Sequence, residues 1–297
     1  MRATAAAIAA AVLWTGGPAA AESPSGRAGC HQPAPACVAA AERTLAALRD
    51  RLGCDHRAPF AALYAESQGF LRESLASKPF AEPSWLAGDL NSAFVDRYLT
   101  AYEDDRAGRP VPAAWRIAFE TARTGQVNAG QDALLGVNAH IQRDMPYVLA
   151  EHGLVRADGT SRKDDYDRVQ AVLDRAYGPA VREIARRYDP LVALADDRWN
   201  PVAGLTAHEL LVIWRQNAWE HARRLAGARS PERFRAAARD VEANAAAWAR
   251  LLAAVQVPGY RLVRDAHCAG ATVPRRPAPG AWAPVPLPAA LSSGRPA

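Results

Sequence analysis

Apolar residues recur at intervals of three and four through most of this chain, which is the spacing that one buried face of an α-helix requires. In the stretch 36–52, for example, Val38, Leu45 and Leu48 share one side, and Gly53 marks the end. No alternating β pattern of useful length appears. We therefore expect an all-α protein, a single bundle of about eight helices. The other helices are expected after Asp55, from Pro83, around Trp115, from Asn128 to His152 with a bend at Pro146, from Ser161 to about 188, from Thr206, and from Ser230 to about 255.

Polar residues at the predicted helix ends indicate how these helices begin. Asp55 is a good N-cap for the second helix, since its carboxylate can accept from the first free backbone N–H groups. Ser161 and Asp164 have the spacing of a capping box. The Gly178-Pro179 pair predicts a break, because proline removes a backbone donor inside a helix.

The ends of the chain differ from the helical middle in composition. Residues 1–21 resemble a secretory signal peptide, with Arg2 first, a short apolar run next, and small residues at 19–21. No other stretch approaches ~20 uninterrupted apolar residues, so no membrane span is expected after cleavage. We expect a secreted protein. Its predicted segments are a Pro/Gly/Ser-rich lead at 22–35, an all-α domain at 36–268 and a disordered Pro/Ala-rich tail at 269–297.

The charge of the chain excludes one class of partner. The formal net charge is +5, and the excess is arginine spread over helix faces rather than clustered. A nucleic-acid footprint needs a basic patch or stripe. The sequence therefore predicts no nucleic-acid partner, and leaves a small molecule or a protein as the candidates.

Four cysteines, an even number, favour two disulfides in an oxidising compartment. Cys37 and Cys54 cannot pair if 37–52 is an unbroken helix, because its rise would separate them by roughly 24 Å. A bridge needs Cα atoms about 4.4–6.8 Å apart. Two pairings stay open, Cys30–Cys37 with Cys54–Cys268 or Cys30–Cys54 with Cys37–Cys268. We favour the first, because prolines between Cys30 and Cys37 allow a tight loop.

The candidate chemistry lies in the fifth predicted helix. His140 and Asp144 are one turn apart, so both point the same way from one helical face. Gly136, one turn earlier, removes a side chain on that face and leaves room for a ligand or another helix. Asn138 points about 160° away from His140 and is expected to bond to a neighbouring helix. A buried histidine held by a carboxylate is a common structural arrangement.

The same spacing can also bind a metal ion. Catalytic Zn²⁺ needs three protein ligands and an open position for water. Asp55 and His56 could complete a set with His140 and Asp144, and His221 is an outside candidate because it faces inward on its helix. No cofactor is favoured, but zinc is the one that these residues allow. The chain has no Gly-rich phosphate loop, no Ser-His-Asp elbow and no Cys-x-x-Cys pair.

Several short motifs carry a resemblance to a known family: Cys54-Asp55-His56-Arg57-Ala58, Trp115-Arg116-Ile117-Ala118-Phe119, Leu135-Gly136-Val137-Asn138-Ala139-His140-Ile141-Gln142-Arg143-Asp144, Ser161-Arg162-Lys163 and Ile184-Ala185-Arg186-Arg187-Tyr188-Asp189-Pro190. Across roughly residues 36–252 the chain resembles an actinobacterial family known as domain of unknown function 5995. The Asn-Ala-His-x-x-x-Asp element is the most specific motif. The resemblance implies an all-α domain, and it implies no activity.

Two functions follow as hypotheses. The favoured one is a secreted helical protein that binds a small molecule or a partner in a cleft between helices, lined by His140 and Asp144. The alternative is a metal-dependent hydrolase, of zinc type, acting on an ester or phosphoester. In that case Asp55, His56, His140 and Asp144 would hold the ion and activate water.

Overall fold

The computed structural model describes residues 30, 32–77, 79–198, 200–256 and 259–270, and these form helices and connecting loops with no strand. The all-α prediction is confirmed. Ten α-helices are present in this part of the chain rather than about eight. They are α1 Ala34–Leu52, α2 Ala58–Ala76, α3 Asn91–Arg106, α4 Ala113–Thr124, α5 Ala129–Asn138, α6 Met145–His152, α7 Lys163–Arg187, α8 Pro201–Ala226, α9 Pro231–Ala253 and α10 Tyr260–Gly270.

Three shorter helical segments complete the fold. Ser84–Leu90 and Ala139–Asp144 are π-helical, and Pro190–Ala195 is a 3₁₀-helix. The second π-helical segment divides the predicted helix from Asn128 to His152 into α5 and α6. Pro146 lies within the first turn of α6, where its missing N–H is tolerated. The interruption therefore comes before the proline, at the residues of the candidate site.

Several predicted helix ends are wrong. Asp55 is not the N-cap of α2; its carboxylate accepts from the backbone N–H of Arg57, at 2.8 Å, in the turn before the helix. Ser161 Oγ accepts from the backbone N–H of Lys163, at 3.1 Å, and makes no capping box with Asp164. The helix α8 already begins at Pro201, five residues before Thr206.

The predicted break at Gly178-Pro179 is also wrong, since α7 runs through both residues. A proline inside a helix costs ~3 kcal/mol or more. Packing offsets that cost, because buried residues of α7 lie on both sides of the proline, with Val172 and Ala176 before it and Ile184 after it. Tertiary burial thus decides the course of this helix against its local preference.

The main core is built from buried residues of α1 to α9 and the two π-helical segments, and α7 packs along α2. Val38, Leu45, Tyr98, Trp115 and Leu149 are among its fully buried side chains. The aromatic rings lie together, and those of Tyr98 and Trp115 stack at 5.3 Å between centroids. This aromatic part of the core surrounds the histidine described below.

The favoured cysteine pairing is confirmed: Cys30 is bonded to Cys37 and Cys54 to Cys268. The second bridge holds α10, which the apolar pattern does not predict because Leu262 and Val263 are exposed. The first two residues assigned to the tail, 269 and 270, are helical. The rest of the tail, the signal peptide at 1–21 and most of the lead at 22–35 lie outside the described residues. Within the described part of the chain, no helix is both long enough and apolar enough to span a bilayer.

Candidate functional site

A large apolar cavity lies between α2, α3, α5, α7 and α8, and His140 is among the residues that line it. Its volume is about 880 Å³. We call it the helix cavity. Small-molecule sites in proteins occupy roughly 300–1,000 Å³, so the helix cavity is at the upper end of that range. Aliphatic side chains supply most of its wall, among them Leu63, Leu71, Leu134, Val169, Val172 and Leu173.

His140 and Asp144 meet inside the core. His140 Nδ1 lies 3.0 Å from Asp144 Oδ2, and both side chains are almost fully buried. Both belong to the π-helical segment Ala139–Asp144, where the backbone bonds reach one residue further than in an α-helix. The carboxylate lies behind the imidazole and does not line the helix cavity, so only one of the two predicted wall residues is on the wall.

The buried carboxylate of Asp144 has three donors. Besides His140, it accepts from Trp115 Nε1 at 2.9 Å and from Arg143 Nη1 at 3.1 Å. Burial alone would raise the pKa of Asp144. The hydrogen bond from His140, the charge of Arg143 and the indole donor together hold that pKa below its ordinary value. Asp144 is therefore ionised, and it fixes the imidazole so that Nδ1 carries the proton.

Burial lowers the pKa of His140, against the opposing pull of Asp144. The ring is therefore neutral near pH 7, and its Nε2 is a hydrogen-bond acceptor on the side of the ring away from Asp144. Nε2 is buried and has no partner among the described residues. The hydroxyl of Tyr64 is likewise buried without a partner, and burial raises the pKa of Tyr64 well above its usual value. Both residues line the helix cavity, so an acceptor and a donor without a partner among the described residues are buried at the same wall.

Aromatic rings hold the imidazole in place. The Phe94 ring stacks on it, with centroids 3.4 Å apart and planes 10° apart, and Tyr64 meets it edge-on at 4.8 Å. Phe60 approaches from another side, at 5.7 Å. A Cβ at Gly136 would lie only 2.3 Å from Phe60 Cγ, so the missing side chain at this position makes room for a neighbouring helix rather than for a ligand.

Two other polar groups of the wall are paired with each other. Gln68 and Asn91 exchange amide hydrogen bonds of 3.0 and 2.8 Å, and both are buried. Because each amide satisfies the other, this pair connects α2 to α3 and leaves the surrounding wall apolar.

Arg215 is the cationic side chain on the described part of the wall. It is 4 % exposed, and its Nη2 donates to the carbonyl oxygen of Tyr166, whose hydroxyl donates in turn to the carbonyl oxygen of Arg215 at 2.9 Å. The guanidinium lies over the Tyr166 ring, 4.2 Å from its centroid. Sequence reasoning missed this residue, although its position between Leu211, Trp214 and Ala218 places an arginine on an apolar helix face.

The structure does not bring Asp55 and His56 to His140 and Asp144. Asp55 forms an ion pair with Arg57 at 2.7 Å, and His56 Nδ1 lies 2.8 Å from Asp132 Oδ2. Among the residues that the structure describes, no group of three or more His, Cys, Asp or Glu side chains could hold a metal ion. The four-residue set predicted for zinc is therefore not assembled here.

His56 instead belongs to a second buried cluster that the sequence interpretation missed. Asp132 Oδ2 accepts from Arg264 Nη1 of α10 at 2.7 Å as well as from His56. Burial raises the pKa of Asp132, against the effects of His56 and Arg264. Asp132 is one helical turn before Gly136 and two before His140, and that spacing was the available signal for its buried position.

The two remaining predicted residues have structural contacts. Asn138 Nδ2 donates to the carbonyl oxygen of Ala245 in α9 at 3.0 Å, as its direction on the helix predicts. His221 is 5 % exposed, and its Nδ1 lies 3.2 Å from Arg224 Nη2. Neither side chain lines the helix cavity.

Comparison with curated proteins finds no match, and comparison with solved structures finds none either. A family model does match: the one described as a family of unknown function, DUF5995, over residues 38–255. That span contains α2 to α9, the helix cavity and the His140–Asp144 pair, and it ends before α10. The chain therefore belongs to this family of unknown function, DUF5995.

Proposed function

We propose that this protein binds a small, largely apolar molecule in the helix cavity. The observation that carries the proposal is the cavity itself, about 880 Å³ with a mainly aliphatic wall. Apolar protein cavities as small as ~150 Å³ take up apolar molecules, because such spaces exclude water and leave the wall without contacts. A ligand in the helix cavity would gain the same contacts over a much larger wall.

The polar atoms of the wall support a role in orienting the ligand. His140 Nε2 can accept one hydrogen bond, and the Tyr64 hydroxyl can donate one. Binding sites of this kind combine an apolar wall with a few placed polar groups that fix orientation. Asp144 acts here as a positioning residue, because its bond to Nδ1 holds the tautomer in which Nε2 accepts.

The compartment proposed for this function is extracellular. Two disulfides are formed in the described residues, and disulfides persist in oxidising compartments. The signal-peptide pattern of residues 1–21 supports the same location. Intact mass of the protein recovered from culture medium tests this: a chain that begins near Glu22 is expected, and a chain retained in cells with residues 1–21 would contradict it.

Binding can be tested with a matched pair of variants on α7. Ala176 lies on the wall of the helix cavity, whereas Ala171 is exposed on the same helix. We expect the neutral dye Nile red to bind the wild type with a blue-shifted emission. Ala176→Phe should weaken this binding by about tenfold or more, because the new ring fills part of the cavity, and Ala171→Phe should leave it unchanged. Dye binding that both variants preserve, or that the wild type lacks, would contradict the proposal.

A further inference from the structure

We infer that the ligand of the helix cavity is an anionic amphiphile, a long-chain carboxylate whose head group binds Arg215. This inference rests on the proposed function, since it names the class of molecule that the helix cavity takes. It comes from one observation that apolar binding alone does not explain: a buried guanidinium in a mainly aliphatic wall.

The guanidinium has no counter-ion in the described part of the chain. Its hydrogen bond goes to the carbonyl oxygen of Tyr166, which carries no net charge, and no Asp or Glu side chain forms an ion pair with it. Other buried arginines do have such a partner. Arg143 is paired with Asp144 and Glu242, and Arg264 with Asp132. An unpaired buried charge is costly, and an anion beside it removes much of that cost.

The geometry of Arg215 leaves donors free for such an anion. The Tyr166 contact uses Nη2, and the other N–H groups of the guanidinium have no hydrogen-bond partner among the described residues. The reciprocal bond from the Tyr166 hydroxyl and the ring beneath the guanidinium keep it in one orientation. A planar guanidinium fork matches the two oxygens of a carboxylate.

The charge of the wall favours a single negative charge. The other charged wall residue among those described is Asp189, whose carboxylate accepts from the backbone N–H groups of Leu191 at 3.0 Å and Ala129 at 3.4 Å. Arg215 supplies one positive charge, which a carboxylate balances and a phosphate dianion exceeds. A monoanionic head and an aliphatic tail therefore fit the charge and the apolarity of the wall together.

The test compares ligands that differ only in the head group. Dodecanoate, dodecyl alcohol and dodecylammonium are titrated against the protein with bound Nile red. We expect dodecanoate to bind at least about tenfold more tightly than the alcohol, which corresponds to ~1.4 kcal/mol. Dodecylammonium should bind more weakly than either. In Arg215→Met the preference for dodecanoate over the alcohol should disappear.

Two further variants make the result specific. Arg215→Lys keeps the charge and should keep part of the preference, which protects the test if Arg215→Met does not fold. Arg223→Met removes an exposed arginine of the same helix and should leave the preference intact. Equal binding of the acid and the alcohol by the wild type would overturn this inference and leave the proposed function standing. Failure of the dye and of all three ligands to bind would refute both.

Discussion

Replacing Asp144 with alanine tests the buried pair directly. The carboxylate is fully buried and accepts from His140, Trp115 and Arg143 at distances of 2.9 to 3.1 Å. Histidine can adopt its other tautomer, and Arg143 keeps Glu242 at 2.9 Å. The indole N–H of Trp115 has no such alternative and would remain buried without an acceptor.

The expected decrease in the free energy of unfolding follows from these lost hydrogen bonds and the lost ion pair. An unsatisfied buried donor costs ~1–3 kcal/mol. Removing one partner of a buried ion pair costs ~3–5 kcal/mol. Because Arg143 keeps one carboxylate and the imidazole can change its tautomer, we expect Asp144→Ala to lower the free energy of unfolding by about 3–5 kcal/mol. For a domain of this size, that corresponds to a fall in melting temperature on the order of 10 °C.

The assay is urea unfolding followed by circular dichroism, with Glu120→Ala as the control. Glu120 pairs with Arg116 at the same spacing of four residues, but both side chains are about half exposed. Such exposed pairs contribute ~0.3–0.5 kcal/mol, so the control should change little. If the free energy of unfolding of Asp144→Ala is within ~1 kcal/mol of the wild-type value, with an unchanged dependence on urea concentration, the carboxylate does not hold these donors and the reasoning is refuted.

Two further predictions follow from the same site. Gly136→Ala should destabilise the protein by about 1–3 kcal/mol through the clash with Phe60, although alanine has the better helix propensity. The control Gly69→Ala should be neutral or stabilising, because its Cβ meets Glu42 at an ordinary 3.6 Å. The melting temperatures of the two variants check this prediction, and equal changes would contradict it. Burial lowers the pKa of His140 in the folded state, so the unfolded chain binds the proton first as the pH falls below ~6.5, and the free energy of unfolding should decrease from pH 7 towards pH 5. Urea unfolding across this range should show a smaller decrease for His140→Phe than for the wild type. Identical pH profiles of the two proteins would show that burial does not lower the pKa of this imidazole.

The apolar spacing predicted most helices because each of them buries one face. Such a face is visible in the local sequence as apolar residues three and four positions apart. It could not predict the π-helical turn at Ala139–Asp144 or the continuous course of α7 through Pro179. Both depend on the residues of other helices that pack against the segment, and the local sequence does not specify those residues. For the disulfides, the rise of a helix excluded one of the three pairings, and the prolines between Cys30 and Cys37 favoured the pairing that forms.

The candidate site was predictable only in part, for a similar reason. The spacing of His140 and Asp144 places the two side chains together on one helix. The partners of Asp132 and Arg215 come from distant segments, Arg264 of α10 and Tyr166 of α7. A cavity is likewise a property of several helices at once. The sequence offered one signal for each position: the spacing of Asp132 from Gly136 and His140, and an arginine on the apolar helix face that contains Arg215.

The bridge from Cys54 to Cys268 has a consequence for how the protein opens. It joins positions 214 residues apart, so it closes most of the described chain into a covalent ring. In a chain-entropy treatment, rings of this size disfavour the denatured ensemble by roughly 5 kcal/mol. Helix α10 can lose every noncovalent contact and still remain tethered beside the start of α2. Fraying from the carboxyl end is thereby confined, and Arg264 stays within reach of its acid whenever the helix detaches.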